Sequence, residues 1–173
     1  MGIKCWFDGG CGPRNPGGHA TYGVIVRDES GKQILAANGY LGKGPQMSNN
    51  VAEYAGICAI FEFLISNNIS QATIYGDSKL VVKQMTRKWK ARGGLYFEQY
   101  KRASLLRDQL PNVVIKWIPR EMNCEADELA AKAMPKGGLN SLSRNRELIR
   151  LVNEQRADQR ETERRMVMDK IFS

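Results

Sequence analysis

A chain of 173 residues with 42% hydrophobic and 25% charged side chains fits one compact domain with an appendage and leaves no room for a second catalytic domain. No apolar run approaches the roughly 20 residues that cross a bilayer, and Met1–Lys4 leads straight into a strand-like pattern without a signal-peptide core, so a cytoplasmic protein with no membrane partner is expected. The formal net charge of +8 favours a polyanionic partner or an anionic surface, and Cys5, Cys11, Cys58 and Cys124 contain no C-x-x-C pair, so they read as free thiols, with neither a zinc site nor a disulfide framework.

Ile3, Cys5 and Phe7 alternate with Lys4, Trp6 and Asp8, the period of a half-buried strand, and the turn-rich Gly9-Gly10-Cys11-Gly12-Pro13 follows. Asp8 is therefore expected near a strand end, beside a flexible loop. Runs over about Ala20–Arg27 and Gln33–Tyr40 flank Asp28-Glu29-Ser30-Gly31, a turn signal that predicts a hairpin and completes a three-stranded meander. Ser48-Asn49-Asn50 then starts a helix whose apolar face is read as Ala52, Ala55, Ile57, Ala59, Ile60, Phe63 and Leu64, with Glu53 in its first turn or two.

Ala72–Tyr75 reads as a short strand stopped at Gly76-Asp77-Ser78, where Leu80, Val81, Gln84 and Met85 begin a helix. A further helix is expected from about Phe97 to Leu110, where Pro111 ends it, and Val113–Ile118 is the fifth strand. Pro119 stops that strand and Asn123 begins a helix through Glu128, Leu129, Ala130 and Ala133. This order describes a mixed α/β domain, a five-stranded mixed sheet flanked by helices. Beyond Gly137-Gly138 the composition changes: Ser141–Val152 has helical periodicity, Gln155–Arg165 is almost wholly polar, and Met166–Phe172 is apolar again. The boundaries are drawn as a catalytic domain over 1–136 and a C-terminal helical extension of unknown role over 137–173, the latter a place for partner contact.

Several carboxylates fall at strand ends and helix starts. Clustered carboxylates hold hard divalent cations, and two such cations about 3.5–4 Å apart can share the activation of a water and the stabilisation of a leaving oxygen in phosphodiester hydrolysis. The candidates are Asp8 before Gly9-Gly10, Glu53 in Asn49-x-x-Ala52-Glu53, Asp77 in Tyr75-x-Asp77-Ser78, and Asp127 in Asn123-x-x-Ala126-Asp127-x-Leu129-Ala130. Taken singly, each also fits a helix cap or a solvated loop acid. Taken together with Asn15-Pro16-Gly17-Gly18 and Tyr22-Gly23, and in this order, they resemble the type 1 ribonuclease H family over roughly Ile3–Met134.

The resemblance implies a ribonuclease H-like fold and an endonuclease that cuts the RNA strand of an RNA–DNA hybrid with two Mg2+ ions, Mn2+ being a substitute. It implies that Asp8 bridges both ions, that Asp127 completes the site activating water, and that Glu53 with Asp77 completes the site facing the leaving 3′ oxygen. Products would carry 5′-phosphate and 3′-hydroxyl ends.

Distinguishing RNA from DNA requires contacts to 2′-hydroxyls in a shallow minor groove. Asn15, Asn49 and Asn50 are the candidates, Asn49 and Asn50 through family positions, while Ser48 matches a Thr that helps hold a DNA phosphate; capping by Ser48 or Asn49 remains compatible. Lys79, Lys83 and Arg87 recur every four residues, joined by Lys88, Lys90 and Arg92 with Trp89 among them, a basic, partly aromatic surface suited to DNA phosphates or simply to solvent.

The family's histidine between the last strand and the final Asp is absent from Pro119-Arg120-Glu121-Met122-Asn123, so slower turnover is expected, or substitution by Arg120 or Glu121. The one histidine, His19, is placed in the loop before the second strand and read as a surface residue. No hybrid-binding module precedes Asp8, so unaided, non-processive action by a monomer is expected. Three readings compete: a hybrid-binding module that does not cut, a reverse-transcriptase-derived nuclease domain, and a basic α/β domain with a structural role.

Overall fold

The structure is a computed structural model and describes residues 2–135. Strands β1 (Ile3–Gly12), β2 (His19–Arg27) and β3 (Gln33–Lys43) form an antiparallel meander; α1 (Asn49–Ser66), β4 (Ala72–Gly76), α2 (Lys79–Met85), α3 (Phe97–Asp108), β5 (Val114–Trp117) and α4 (Cys124–Ala133) follow. The sheet order is β3-β2-β1-β4-β5, with β4 parallel to β1 and β5 parallel to β4. The expected five-stranded mixed sheet is thus what the chain forms. The expected extension, 137–173, and the apolar Met166–Phe172 within it lie outside the described residues.

Strand alternation assigns the two sheet faces. Cys5 and Phe7 of β1, Val24 and Val26 of β2, and Ile74 of β4 enter the core with Ile57, Ile60, Phe61 and Leu64 of α1. Each such large side chain contributes about 1.5–3 kcal/mol by leaving water. Helix α1 is more deeply embedded than one apolar face requires: Val51, Tyr54, Cys58 and Phe61 are buried as well, whereas the expected Ala55, Ala59 and Phe63 are only partly covered. The reason is that α1 packs on β1 and β2 on one side and on α3 on the other. Its start is as read, with the Ser48 Oγ accepting from the Val51 N–H at 3.2 Å. Helix α4 covers the opposite sheet face over β1, β2 and β3.

Three expectations need correction. Strand β1 does not end at Asp8: its ladder with β2 runs on to Gly12↔His19, because β2 supplies partners past the point where the parallel ladder to β4 stops at Phe7↔Gly76. Asp8 is therefore held in a strand with no flexible loop beside it, at the first position beyond the central parallel pairing. His19 is the first residue of β2, half-buried, with Nδ1 2.7 Å from the Tyr40 hydroxyl. Helix α2 stops at Met85, with Thr86 as its C-cap and Arg87 at φ 60°, so Arg87 does not continue the Lys79, Lys83 row. Elsewhere boundaries move by one to three residues: β3 extends to Lys43, α3 ends at Asp108, and β5 is trimmed to Val114–Trp117.

As expected, none of the four cysteines is in a disulfide; three are buried and Cys124 is half-buried. No helix among the described residues is long and apolar enough to cross a membrane.

Candidate metal centre

The site is assembled where backbones approach closely. A Cβ on Gly9 would stand 2.3 Å from the Glu53 backbone nitrogen, so the missing side chain at Gly9 is what lets α1 press its first turns against β1 and bring Glu53 to Asp8. On the other face a Cβ on Gly23 would stand 2.2 Å from the Ala126 carbonyl, and Gly23 pairs directly with Asp8, so the same device brings the first turn of α4 and Asp127 to the strand. Asp77 follows β4, immediately before Ser78, whose Oγ accepts from the Val81 N–H at 3.3 Å to start α2.

Carboxylate oxygens of Asp8, Glu53 and Asp77 come within 4.8 Å of one another. Asp127 joins them through a side-chain hydrogen bond to Asp8. Asp8, Glu53 and Asp127 are only 5%, 7% and 5% exposed, so these are acids held away from water rather than solvated loop acids. All four candidates read from sequence are thus brought to one place.

Burial pushes the Asp8 carboxyl well above its ordinary range, and the charges of Glu53 and Asp77 and the contact with Asp127 push it further. Glu53 is raised by burial and by Asp77, against the opposing pull of the Arg120 guanidinium, a hydrogen bond from Asp8 and the Gly9 N–H. Asp77 is raised by burial; Arg120 opposes this most, Asp127 adds to it, and the Asn123 side chain counteracts it through a hydrogen bond. Carboxylates this close cannot all ionise without a compensating cation. Glu53 Oε2 and Asp77 Oδ2 are shielded from solvent yet accept no hydrogen bond, so lone pairs are available in the middle of the cluster. An all-oxygen donor set of this kind suits a hard divalent cation rather than zinc or copper.

The expected groove residues gather at the start of α1, the helix that carries Glu53. The Asn49 N–H donates to Asn15 Oδ1 at 2.9 Å, and Asn49 Oδ1 accepts from the Cys11 N–H at 2.7 Å, which ties the β1–β2 connection to the start of α1. Both side-chain carbonyls are therefore spent on the fold, while Asn15 and Asn49 themselves are exposed and Asn50 is half-buried. Ser48 is spent on the cap.

In the basic segment, Lys79 and Lys83 sit on α2, and the N–H groups of Lys88 and Trp89 both reach the Lys83 carbonyl. Arg87 turns away to α3, donating to Ser104 Oγ and pairing with Asp108 at 2.7 Å each. Trp89 is 50% exposed.

Two contributors were not singled out from sequence. Asn123 was read as a helix start, yet its side chain makes no cap; its Nδ2 donates to the Phe7 carbonyl at 2.8 Å and its amide braces Asp77. Its burial is a tertiary fact, although its place in the Asn123-x-x-Ala126-Asp127 string was the available signal. Trp117 donates from Nε1 to the Asp77 carbonyl at 3.0 Å and gave no signal beyond being an aromatic at a strand end.

A carboxylate cluster at the centre of a β3-β2-β1-β4-β5 sheet defines the class, an α/β domain of ribonuclease H architecture with a candidate metal centre. A family model described as Reverse transcriptase-like matches residues 7–133. Bifunctional protein Rv2228c of Mycobacterium tuberculosis is 35% identical over 133 residues, 76% of this chain and 36% of that protein, so the chain spans about a third of the length of this curated relative. The solved N-terminal RNase H domain of Rv2228c, fused to maltose-binding protein, is 32% identical with a TM-score of 0.70, covering 78% of this chain and 100% of that one. LC11-RNase H1, isolated from compost and solved in complex with an RNA/DNA hybrid, is 31% identical with a TM-score of 0.68, covering 76% of this chain and 96% of that one. The chain belongs to the type 1 ribonuclease H family.

Proposed function

We propose that this chain is an endonuclease that hydrolyses the RNA strand of RNA–DNA hybrids, with residues 1–136 as its catalytic unit. The observation that carries this reading is the cluster of buried Asp8 and Glu53 with half-buried Asp77, to which Asp127 is hydrogen-bonded through Asp8. The family match over residues 7–133 and the hybrid-bound relative LC11-RNase H1 support it.

When bound, two Mg2+ ions, or Mn2+ in their place, would activate the attacking water and neutralise charge on the leaving oxygen. Asp8 would be shared between the two ions, Asp127 would complete the set on the water side, and Glu53 with Asp77 would complete the set on the leaving-group side. The water oxygen bonds to phosphorus and releases a proton to solvent as the bond to the 3′ oxygen breaks; the 3′ oxygen takes up a proton from solvent, leaving 5′-phosphate and 3′-hydroxyl ends. Asn15, Asn49 and Asn50 contact the minor groove, where the 2′-hydroxyls lie. Ser48, Lys79, Lys83, Lys88 and Trp89 face the DNA strand, and Arg87 acts there by fixing the turn that carries Lys88 and Trp89. Arg120, whose charge already opposes the raised carboxyls of Glu53 and Asp77, takes the electrostatic part of the loop histidine.

The test is cleavage of an end-labelled RNA–DNA hybrid beside matched RNA and DNA duplexes, with Mg2+ or Mn2+, by the wild type and Asp8→Asn. Metal-dependent cutting of the hybrid alone, lost in the variant, is the expected result. Tight hybrid binding without cutting would replace this reading with a binding module.

A further inference from the structure

Trp117 closes β5 and remains 42% exposed although it stands against the turn that carries Asp77. Its indole Nε1–H donates to the Asp77 main-chain carbonyl at 3.0 Å, and the next residue's N–H, that of Ile118, donates to the Gly76 carbonyl at 3.0 Å. Two successive carbonyls of the β4–α2 turn are therefore held from the end of β5. A face of the same indole carries the Lys79 ammonium, 5.0 Å from the ring centroid. Lys79 and Asp77 are two residues apart in sequence and belong to different tasks, a cation toward a phosphate backbone and a carboxylate toward a metal ion. One side chain touches both.

We propose that Trp117 is a positioning residue for both tasks, its N–H fixing the turn that aims the Asp77 carboxylate and its ring fixing the Lys79 ammonium. The inference rests on the hybrid-cleaving reading given above. Trp suits the position because it alone combines a donor at this reach with a large electron-rich face. Residues that orient metal-ligating groups typically change metal affinity by about 10–100-fold when removed. A cation held over an indole at an exposed site is worth about two- to fivefold in affinity.

The two tasks separate by substitution in the full chain. Trp117→Phe keeps a ring for Lys79 and loses the donor, whereas Trp117→Leu loses both. Mn2+ binding is measured by calorimetry without nucleic acid, and hybrid binding is measured without divalent metal. Trp117→Phe is expected to weaken Mn2+ binding about tenfold and to leave hybrid affinity unchanged. Trp117→Leu is expected to weaken Mn2+ binding equally and also to lower hybrid affinity as far as Lys79→Ala does, the double variant adding nothing.

Unchanged Mn2+ affinity in Trp117→Phe overturns the donor role, and unchanged hybrid affinity in Trp117→Leu overturns the ring role. Equal losses in both variants that track a lower melting temperature overturn both. Where Trp117→Leu does not fold, Trp117→Met takes its place as the variant without a ring, and unchanged hybrid affinity in it overturns the ring role. A wild type that cuts no hybrid removes the proposed function and this inference together. A wild type that cuts while both Trp117 variants bind normally removes this inference alone.

Discussion

Asp8 shares its surroundings with three other carboxyl groups, and burial and repulsion both favour its protonated form. In the unfolded chain Asp and Glu lose their protons near 3.8 and 4.5, whereas in the fold Asp8 and Glu53 keep them to higher pH. The stability this gives the metal-free protein is complete below those values and is lost as pH rises through the raised ones. Asp8→Asn removes one of the competing charges, so without metal its melting temperature is expected to match the wild type near pH 4 and to exceed it by roughly 2–6 °C near pH 7. Saturating Mg2+ should reverse that order, because the variant loses ligand linkage. Thermal melts across pH, with and without Mg2+, check both statements. Arg120 acts in the opposite direction on Glu53 and Asp77. Arg120→Ala is therefore expected to move the rise of the pH–activity profile to higher pH, while Arg120→Lys restores most of it; an unmoved profile would exclude the electrostatic role.

At the scale of elements, two glycines set the spacing on which the site depends. Gly9→Ala would force α1 away from β1 at Glu53, and Gly23→Ala would force α4 away from β2 at Ala126. Each is expected to cost about 1–3 kcal/mol by overpacking and to lower metal affinity by moving one carboxylate. Calorimetric Mn2+ binding beside a denaturant melt measures the two effects together.

The loop after α2 is anchored differently. Gln84, 1% exposed, accepts from the Tyr54 hydroxyl at 2.5 Å and donates to the Tyr96 hydroxyl at 3.2 Å and the Lys90 carbonyl at 3.4 Å. Tyr54 and Tyr96 also stack at 5.6 Å. A basic loop outside regular secondary structure is thus tied to the core at its midpoint. Gln84→Leu leaves these partners unsatisfied, at about 1–3 kcal/mol, and is expected to raise KM for hybrid with kcat nearly unchanged. Steady-state kinetics with both constants resolved would show it; an unchanged KM would mean that the loop does not bear on the substrate.

For the whole molecule, a net charge of +8 together with the hybrid substrate proposed above implies binding driven largely by counterion release. Hybrid affinity should fall steeply and log-linearly with salt. Alanine at Lys79, Lys83 or Lys88 is expected to reduce the slope by about 0.7–0.9 for each phosphate that is no longer neutralised. Arg87→Ala should instead act mainly on stability, since its guanidinium is already engaged by Ser104 and Asp108. Fluorescence titrations at several salt concentrations distinguish the two behaviours.

The order of elements and the four carboxylates were legible in the sequence because strand alternation, turn residues and helix starts are local signals, and each carboxylate stood at one of them. Sequence alone could not tell that Asp8 lies within a continuing strand, since that depends on how far β2 supplies partners. Nor could it show that Arg87 is spent on α3, that Asn123 braces Asp77 instead of capping α4, or that Trp117 touches both Asp77 and Lys79. Those are contacts between side chains and elements brought together by the fold, and only close packing of helices on the sheet decides them.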